Sequence, residues 1–253
     1  MRNENERNRW LFNTSTRPDA GLRLFCLPFS GGGASFYRDW PEAMGNDIEV
    51  RAIQLPGHES RYQEPRVTDA DVLVKSIVQA LVPFQDKPFA IFGYSLGALL
   101  AFEISRELRK QNLNMPQHLF LAAMRAPQTP RVHPPFSILP DDIFVQQIEH
   151  YYQPQNEAWK IPELRELFLP VLKDDFVLAE NYTYRDEEPL LCPIDVFAGS
   201  GDRGAPPELT QRWSEQTTNI IDHHMYPGGH FFIDKAVKDI QKVILEKLSA
   251  VMV

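Results

Sequence analysis

Only two cysteines occur in the 253 residues, Cys26 and Cys192. They sit far apart in apolar runs, Leu24-Phe25-Cys26-Leu27 and Leu190-Leu191-Cys192-Pro193. Isolated thiols in such settings are expected as core residues, not as a disulfide framework. Long hydrophobic runs are also missing. No stretch of 18 apolar residues exists, which excludes a transmembrane helix. The opening residues, Met1 to Arg9, are polar and lack an apolar segment, so no secretory signal is expected. Together these point to the cytoplasm. Lysine and arginine form no run, and the net charge is −8, so a nucleic-acid surface is not expected. An acidic protein partner would have to dock on a local basic or apolar patch, against the overall field. Gly31-Gly32-Gly33 is followed by no Gly-Lys-Ser/Thr, and no G-x-G-x-x-G with a downstream ribose acid occurs, which argues against nucleotide binding. Asp222-His223-His224 is too compact for a tetrahedral metal site. Neither metal nor cofactor is expected.

What is present suits one large domain spanning residues 1–253, with 43% hydrophobic residues to fill a core. The most informative segment is Gly93-Tyr94-Ser95-Leu96-Gly97. It follows the apolar run Pro88 to Phe92 and precedes the helical pattern from Ala98 to Ile104. About 0.03 chance matches to G-x-S-x-G are expected in such a chain, so the flanking strand and helix must carry the argument. They supply strand, sharp turn and helix with a serine at the apex, the nucleophile elbow of an α/β-hydrolase fold. The glycines leave room where the turn is strained and the helix packs close to the strand.

The rest of the pattern agrees. Trp10 to Phe12, Leu22 to Leu27, Ile48 to Ile53, His118 to Ala123, Pro193 to Ala198 and Ile220 to Tyr226 read as further strands. Thr68-Asp69-Ala70-Asp71 resembles a capping box ahead of a helix with Leu73, Ile77 and Leu81 on one face. Ala236, Val237, Ile240, Val243, Ile244 and Leu248 mark a C-terminal amphipathic helix. Alternating strands and helices predict a mostly parallel central sheet flanked by helices. Residues 125–188 interrupt this order with helical patterns, no convincing strand and many aromatics, among them Phe144, Tyr151, Tyr152, Trp159, Phe168 and Phe176. This segment is expected to form a helical lid insertion with an apolar underside for an acyl chain.

A serine hydroxyl needs a base, and the base an orienting acid, in the order Ser, Asp or Glu, His. After Ser95, the acid expected is Asp202 in Ala198-Gly199-Ser200-Gly201-Asp202, just beyond a strand. Asp195 lies within that strand and is expected to face a helix or the edge. The base expected is His230 in Tyr226-Pro227-Gly228-Gly229-His230. His223 and His224 fall in or beside the last strand. His58, His118, His133 and His150 come too early or fall in the insertion. Two backbone N–H groups should hold the oxyanion: Leu96, and Ser30 in Phe29-Ser30-Gly31-Gly32-Gly33, with Gly31 the alternative to Ser30.

Five segments in this order, Leu27 to Gly32, Leu55 to Arg61, Gly93 to Gly97, Leu172 to Phe176 and Pro227 to Phe232, resemble the type II thioesterases of non-ribosomal peptide and polyketide synthesis. The resemblance runs from about residue 10 to 247. It implies an α/β-hydrolase fold with a helical lid and a triad of Ser95, Asp202 and His230. It also implies hydrolysis of aberrant or stalled acyl groups from the phosphopantetheine arm of acyl or peptidyl carrier protein domains, by a monomer. One departure is Asp202-Arg203-Gly204-Ala205-Pro206, where the family often has a second acid and a Pro-x-Val. Vertebrate medium-chain thioesterases of fatty acid synthesis share several motifs and form the alternative. A small-molecule carboxylesterase or lactonase, an acyltransferase and a non-catalytic module of this fold are further rivals.

Overall fold

The computed structural model describes residues 9–12, 17–152 and 161–251. The polar opening segment up to residue 8, and Trp159 of the aromatic insertion, lie outside the described residues. Among the described residues, seven strands form one sheet: β1 (Leu11–Phe12), β2 (Leu22–Leu27), β3 (Ile48–Ile53), β4 (Phe89–Tyr94), β5 (Leu119–Ala122), β6 (Ile194–Gly199) and β7 (Ile221–Tyr226). Their spatial order is β1-β3-β2-β4-β5-β6-β7. Only β1 runs antiparallel, pairing Leu11 with Ile53; every other pair is parallel, as with Leu24 opposite both Val50 and Ala90.

The longer helices are α1 (Ala70–Leu81), α2 (Leu96–Lys110), α3 (Asp141–Tyr152), α4 (Pro162–Asn181) and α5 (Ile233–Val251), of which α1, α2 and α5 cover the sheet. Asp69 caps α1 by accepting from the Val72 N–H at 3.0 Å, so the aspartate of the expected capping segment does the capping. Successive strand residues point to opposite faces. Phe25 and Leu27 therefore pack with α1 and α2, while Leu24 and Cys26 pack with Trp40 and the Ile240, Ile244 and Leu248 face of α5. Burial on both faces explains why β2 and β4 read as near-continuous apolar runs. Cys26 and Cys192 are free, buried, and held in different apolar clusters. Among the described residues, no helix is long and apolar enough to cross a membrane.

The loops leaving the C-terminal ends of β2, β4, β6 and β7 carry Ser30, Ser95, Asp202 and His230. In open α/β sheets this edge is where ligands bind. Helices α3 and α4 fill the long connection from β5 to β6, around a small cluster of Phe136, Phe144, Ile148, Leu169 and Phe176.

Candidate active site

Ser95 sits between β4 and α2 with φ +53°, a strained conformation for a side-chain-bearing residue. Its N–H donates to Ala122 O at 2.8 Å, which ties the turn to β5. A Cβ on Gly93 would lie 2.2 Å from Gly97 O, and one on Gly97 would lie 2.3 Å from Leu27 O. Both flanks of the turn therefore demand glycine.

His230 follows β7 and is 4% exposed. Its Nε2 lies 3.0 Å from Ser95 Oγ and its Nδ1 lies 2.9 Å from Asp202 Oδ2. A carboxylate only accepts, so Nδ1 carries the hydrogen and Nε2 is left to accept from the serine hydroxyl. Asp202 is buried, and its Oδ1 accepts from the Gly204 and Ala205 N–H groups at 2.9 and 3.0 Å. Those bonds aim Oδ2 at the imidazole. The β6 and β7 loops are joined by Ser200 N–H to Tyr226 O and Gly201 N–H to Gly228 O, both 2.8 Å. Tyr94 donates its hydroxyl to the carbonyl of His230.

Asp195 is engaged elsewhere, with His118 and His224 in place of His230. It is buried within β6 between His118 Nε2 at 2.6 Å and His224 Nε2 at 2.5 Å, with Lys247 of α5 beyond. Burial alone would raise its pKa, but the two histidine hydrogen bonds and the lysine charge hold it down at about 2. His224 thus turns to a carboxylate, while burial lowers the pKa of its neighbour His223.

Two backbone donors lie free at the site. Among the described residues, neither Leu96 N–H, at the positive end of α2, nor Ser30 N–H has an acceptor. Gly31, the alternative donor, is occupied. Its N–H donates to Asp175 Oδ2 at 2.6 Å, and its φ is +75°. Asp175 also meets the buried His58, a contact across 117 residues that no local pattern announces. The only trace of these two residues in the sequence is that each falls in a segment resembling the thioesterases.

A cavity of about 670 Å³ opens onto Ser95 and His230. Phe29, Leu99, Met124, Leu169 and Phe176 make much of its wall apolar, and the guanidinium-bearing Arg125 and Arg131 also line it. Tyr152 at the end of α3 stands edge-on to His230, with ring centres 4.7 Å apart. A Cβ on Gly204 would lie 2.4 Å from Tyr152 Cε1, so the glycine in the departing Asp202-Arg203-Gly204 segment makes room for that ring. Among the described residues, no cluster of three or more His, Cys, Asp or Glu could hold a metal ion.

Residues 22–250 match the thioesterase-domain family. The gramicidin S biosynthesis protein GrsT of Aneurinibacillus migulanus is 35% identical over 97% of this chain and 96% of its own length. The medium-chain S-acyl fatty acid synthase thioesterase of Homo sapiens is 32% identical over 90% of this chain and 87% of its own. The solved structure of BorB, a type II thioesterase from the borrelidin biosynthetic cluster, superimposes with a TM-score of 0.86 at 30% identity, covering 94% of this chain and 97% of that one. The chain belongs to the thioesterase family of hydrolases, and the solved structures it is similar to include type II thioesterases of biosynthetic clusters.

Proposed function

We propose that this protein hydrolyses acyl groups, stalled or aberrant, from the phosphopantetheine arm of carrier protein domains in non-ribosomal peptide or polyketide synthesis, through an acyl-serine intermediate. The observation that carries the reading is the hydrogen-bonded chain Ser95–His230–Asp202 at the mouth of an apolar cavity. His230 Nε2 takes the Ser95 proton as Oγ attacks the thioester carbonyl. The N–H groups of Leu96 and Ser30 receive the oxyanion, each such donor being worth about 10²–10³ in rate. The C–S bond breaks, and the leaving thiol takes the proton from His230. Water, deprotonated by His230, then cleaves the acyl-serine and releases the carboxylic acid. Asp202 keeps the imidazole in the required tautomer and stabilises its charged form. The catalytic groups are side chains and backbone N–H groups, while the pantetheine arrives with the substrate.

Helices α3 and α4 serve as the lid, with Phe176 and Leu169 facing the acyl chain. The protein acts in the cytoplasm, in keeping with its two unpaired buried thiols.

The test is release of acyl groups from acyl-phosphopantetheinyl carrier protein, followed by mass spectrometry, for the wild type beside Ser95→Ala. Release by the wild type alone supports the reading. No release from carrier protein, with cleavage of a p-nitrophenyl ester, overturns it in favour of a general esterase. A second reading, hydrolysis of medium-chain fatty acyl thioesters, draws on the human relative and on the size of the cavity. A steep rise in kcat/KM from acetyl to decanoyl substrates would favour it.

A further inference from the structure

The loop that carries Ser30 is held by a buried pair with no part in the steps above. Asp175 Oδ2 accepts the Gly31 N–H at 2.6 Å and lies 3.0 Å from His58 Nε2. The other ring nitrogen, Nδ1, lies 3.0 Å from the carbonyl oxygen of Pro56. Both nitrogens face oxygens that can only accept, so both carry a hydrogen and the ring is an imidazolium. Burial opposes that charge, but the hydrogen bond and charge of Asp175, the Pro56 carbonyl and the nearby Glu59 raise the pKa of His58 above its ordinary value. Among the described residues, Asp175 from α4 and Glu59 from its own loop are the charged groups acting on the ring. His58 and Asp175 are 4% and 5% exposed.

Two physical consequences follow. Gly31 could offer its N–H to the cavity, but Asp175 takes it and so fixes the Ser30–Gly31 peptide, leaving the Ser30 N–H as the free donor. A bare carboxylate on the peptide next to the Ser30 N–H would repel a developing oxyanion; the imidazolium offsets that charge.

We propose that Asp175 and His58 are positioning residues for the oxyanion loop, and that they make the hole depend on α4 being seated. Asp175 belongs to the insertion, whereas Ser30 and Gly31 belong to the body. Withdrawal of α4 removes the Gly31 acceptor and frees the loop. This rests on the acyl-serine reading above.

The experiment measures kcat and KM for an acyl-pantetheine thioester, and inhibition by a trifluoromethyl ketone of the same acyl chain, which forms an oxyanion adduct with a serine. Asp175→Ala is expected to lower kcat on the order of 10–100-fold and to weaken the ketone by a similar factor, with KM little changed. Asp175→Asn can still accept from Gly31 while leaving His58 neutral, so it should restore most of kcat. The sign of the pH effect is set by the raised His58 pKa. The pair is intact at low pH and is lost as pH rises through the folded value, so the wild type should lose kcat on the alkaline side. Asp175→Asn should not.

Unchanged kcat and ketone affinity in Asp175→Ala overturn the proposal, as does a loss confined to KM and thermal stability. If Asp175→Ala does not fold, Asp175→Asn decides alone, and an alkaline fall like that of the wild type overturns the proposal. Ser95→Ala, run alongside, separates the two readings: residual turnover there would sink the acyl-serine mechanism whatever Asp175 does.

Discussion

The sheet body and the insertion between β5 and β6 are built in different ways. The body buries both faces of its strands in two large apolar clusters, and Ser95, Asp202 and His230 stand on tight turns at strand ends. Among the described residues, the insertion has its own cluster of five buried apolar side chains, Phe136, Phe144, Ile148, Leu169 and Phe176, and leaves Leu167 and Phe168 nearly half exposed. It is tied down by carboxylates instead. Glu180 accepts from Phe136 N–H at 2.6 Å and from Ser137 N–H at 3.1 Å, Asp174 meets Arg66 at 2.5 Å, and Asp175 reaches His58. A thin core with a few polar anchors opens locally at lower cost than a thick one. The division is what the proposed reaction asks for: fixed chemistry in the body and a lid that can open for the substrate.

The largest expected effect lies in the body. His230→Ala should lower kcat by roughly 10⁴–10⁶ while KM and the circular dichroism spectrum stay near those of the wild type. Single-turnover hydrolysis of an acyl-pantetheine substrate measures this. A loss below tenfold would remove His230 from the mechanism and with it the idea that the body holds the chemistry.

Next comes a stability effect in the body. Asp195 is held at about 2 by His118, His224 and Lys247, against burial that would raise it. A depressed carboxylate contributes stability above its unfolded value, and that contribution fades as pH falls through the folded value. Asp195→Asn should therefore cost on the order of 2 kcal/mol at neutral pH, with the difference from wild type closing towards about pH 2. Urea unfolding at both pH values reads it. Catalysis should survive, because Asp195 does not touch His230. An equal deficit at both pH values would contradict the linkage.

Glu180→Ala addresses the insertion. It strands the N–H groups of Phe136 and Ser137 at a cost of about 1 kcal/mol or somewhat more. The loss should appear as faster proteolysis and hydrogen exchange within residues 124–193, with little change in the global midpoint. A matching fall in the global midpoint would show that the insertion and the body unfold as one unit and erase the contrast.

Legibility in the sequence follows the same division. The strands of the body were readable because burial on both faces makes them continuous apolar runs. The positions of Ser95, Asp202 and His230 were readable as local patterns, each a short glycine-containing turn after such a run. Their meeting within hydrogen-bond distance is a result of sheet order that no one turn contains. Asp195 could be set aside because it lies inside a strand, but its histidine partners on β7 and beside β5 could not be foreseen. The insertion announced itself by helical patterns without a strand and by its aromatic content, not by its anchors. Its anchors depend on pairs such as His58 with Asp175 and Arg66 with Asp174, separated by 117 and 108 residues. Neither contact leaves a periodic trace, since a single polar pair fixes no face of a helix or strand. Nor could a local pattern show that the Gly31 N–H is taken by Asp175 while that of Ser30 lies free.

The smallest expected effect lies at the seam between the two regions. Gly204 belongs to the body loop that aims Asp202, while Tyr152 ends α3 of the insertion and stands edge-on to His230. An added Cβ at residue 204 would come within 2.4 Å of the Tyr152 ring, so one of them must shift. The obstacle is the rim of an aromatic side chain and not backbone, so the ring should tilt. Tyr152 also bonds His133 Nε2 at 2.8 Å, and His133 stacks on Phe136 with ring centres 3.7 Å apart, so the tilt passes into the small core of the insertion. Gly204→Ala should therefore raise KM a few-fold, about 2–5, while kcat changes less, because the Asp202 contacts come from backbone N–H groups that alanine retains. Tyr152→Ala should reproduce the KM effect, and the double variant should add little to either. Additive losses would mean that the two residues act independently, and that the seam does not couple cover to chemistry at this point.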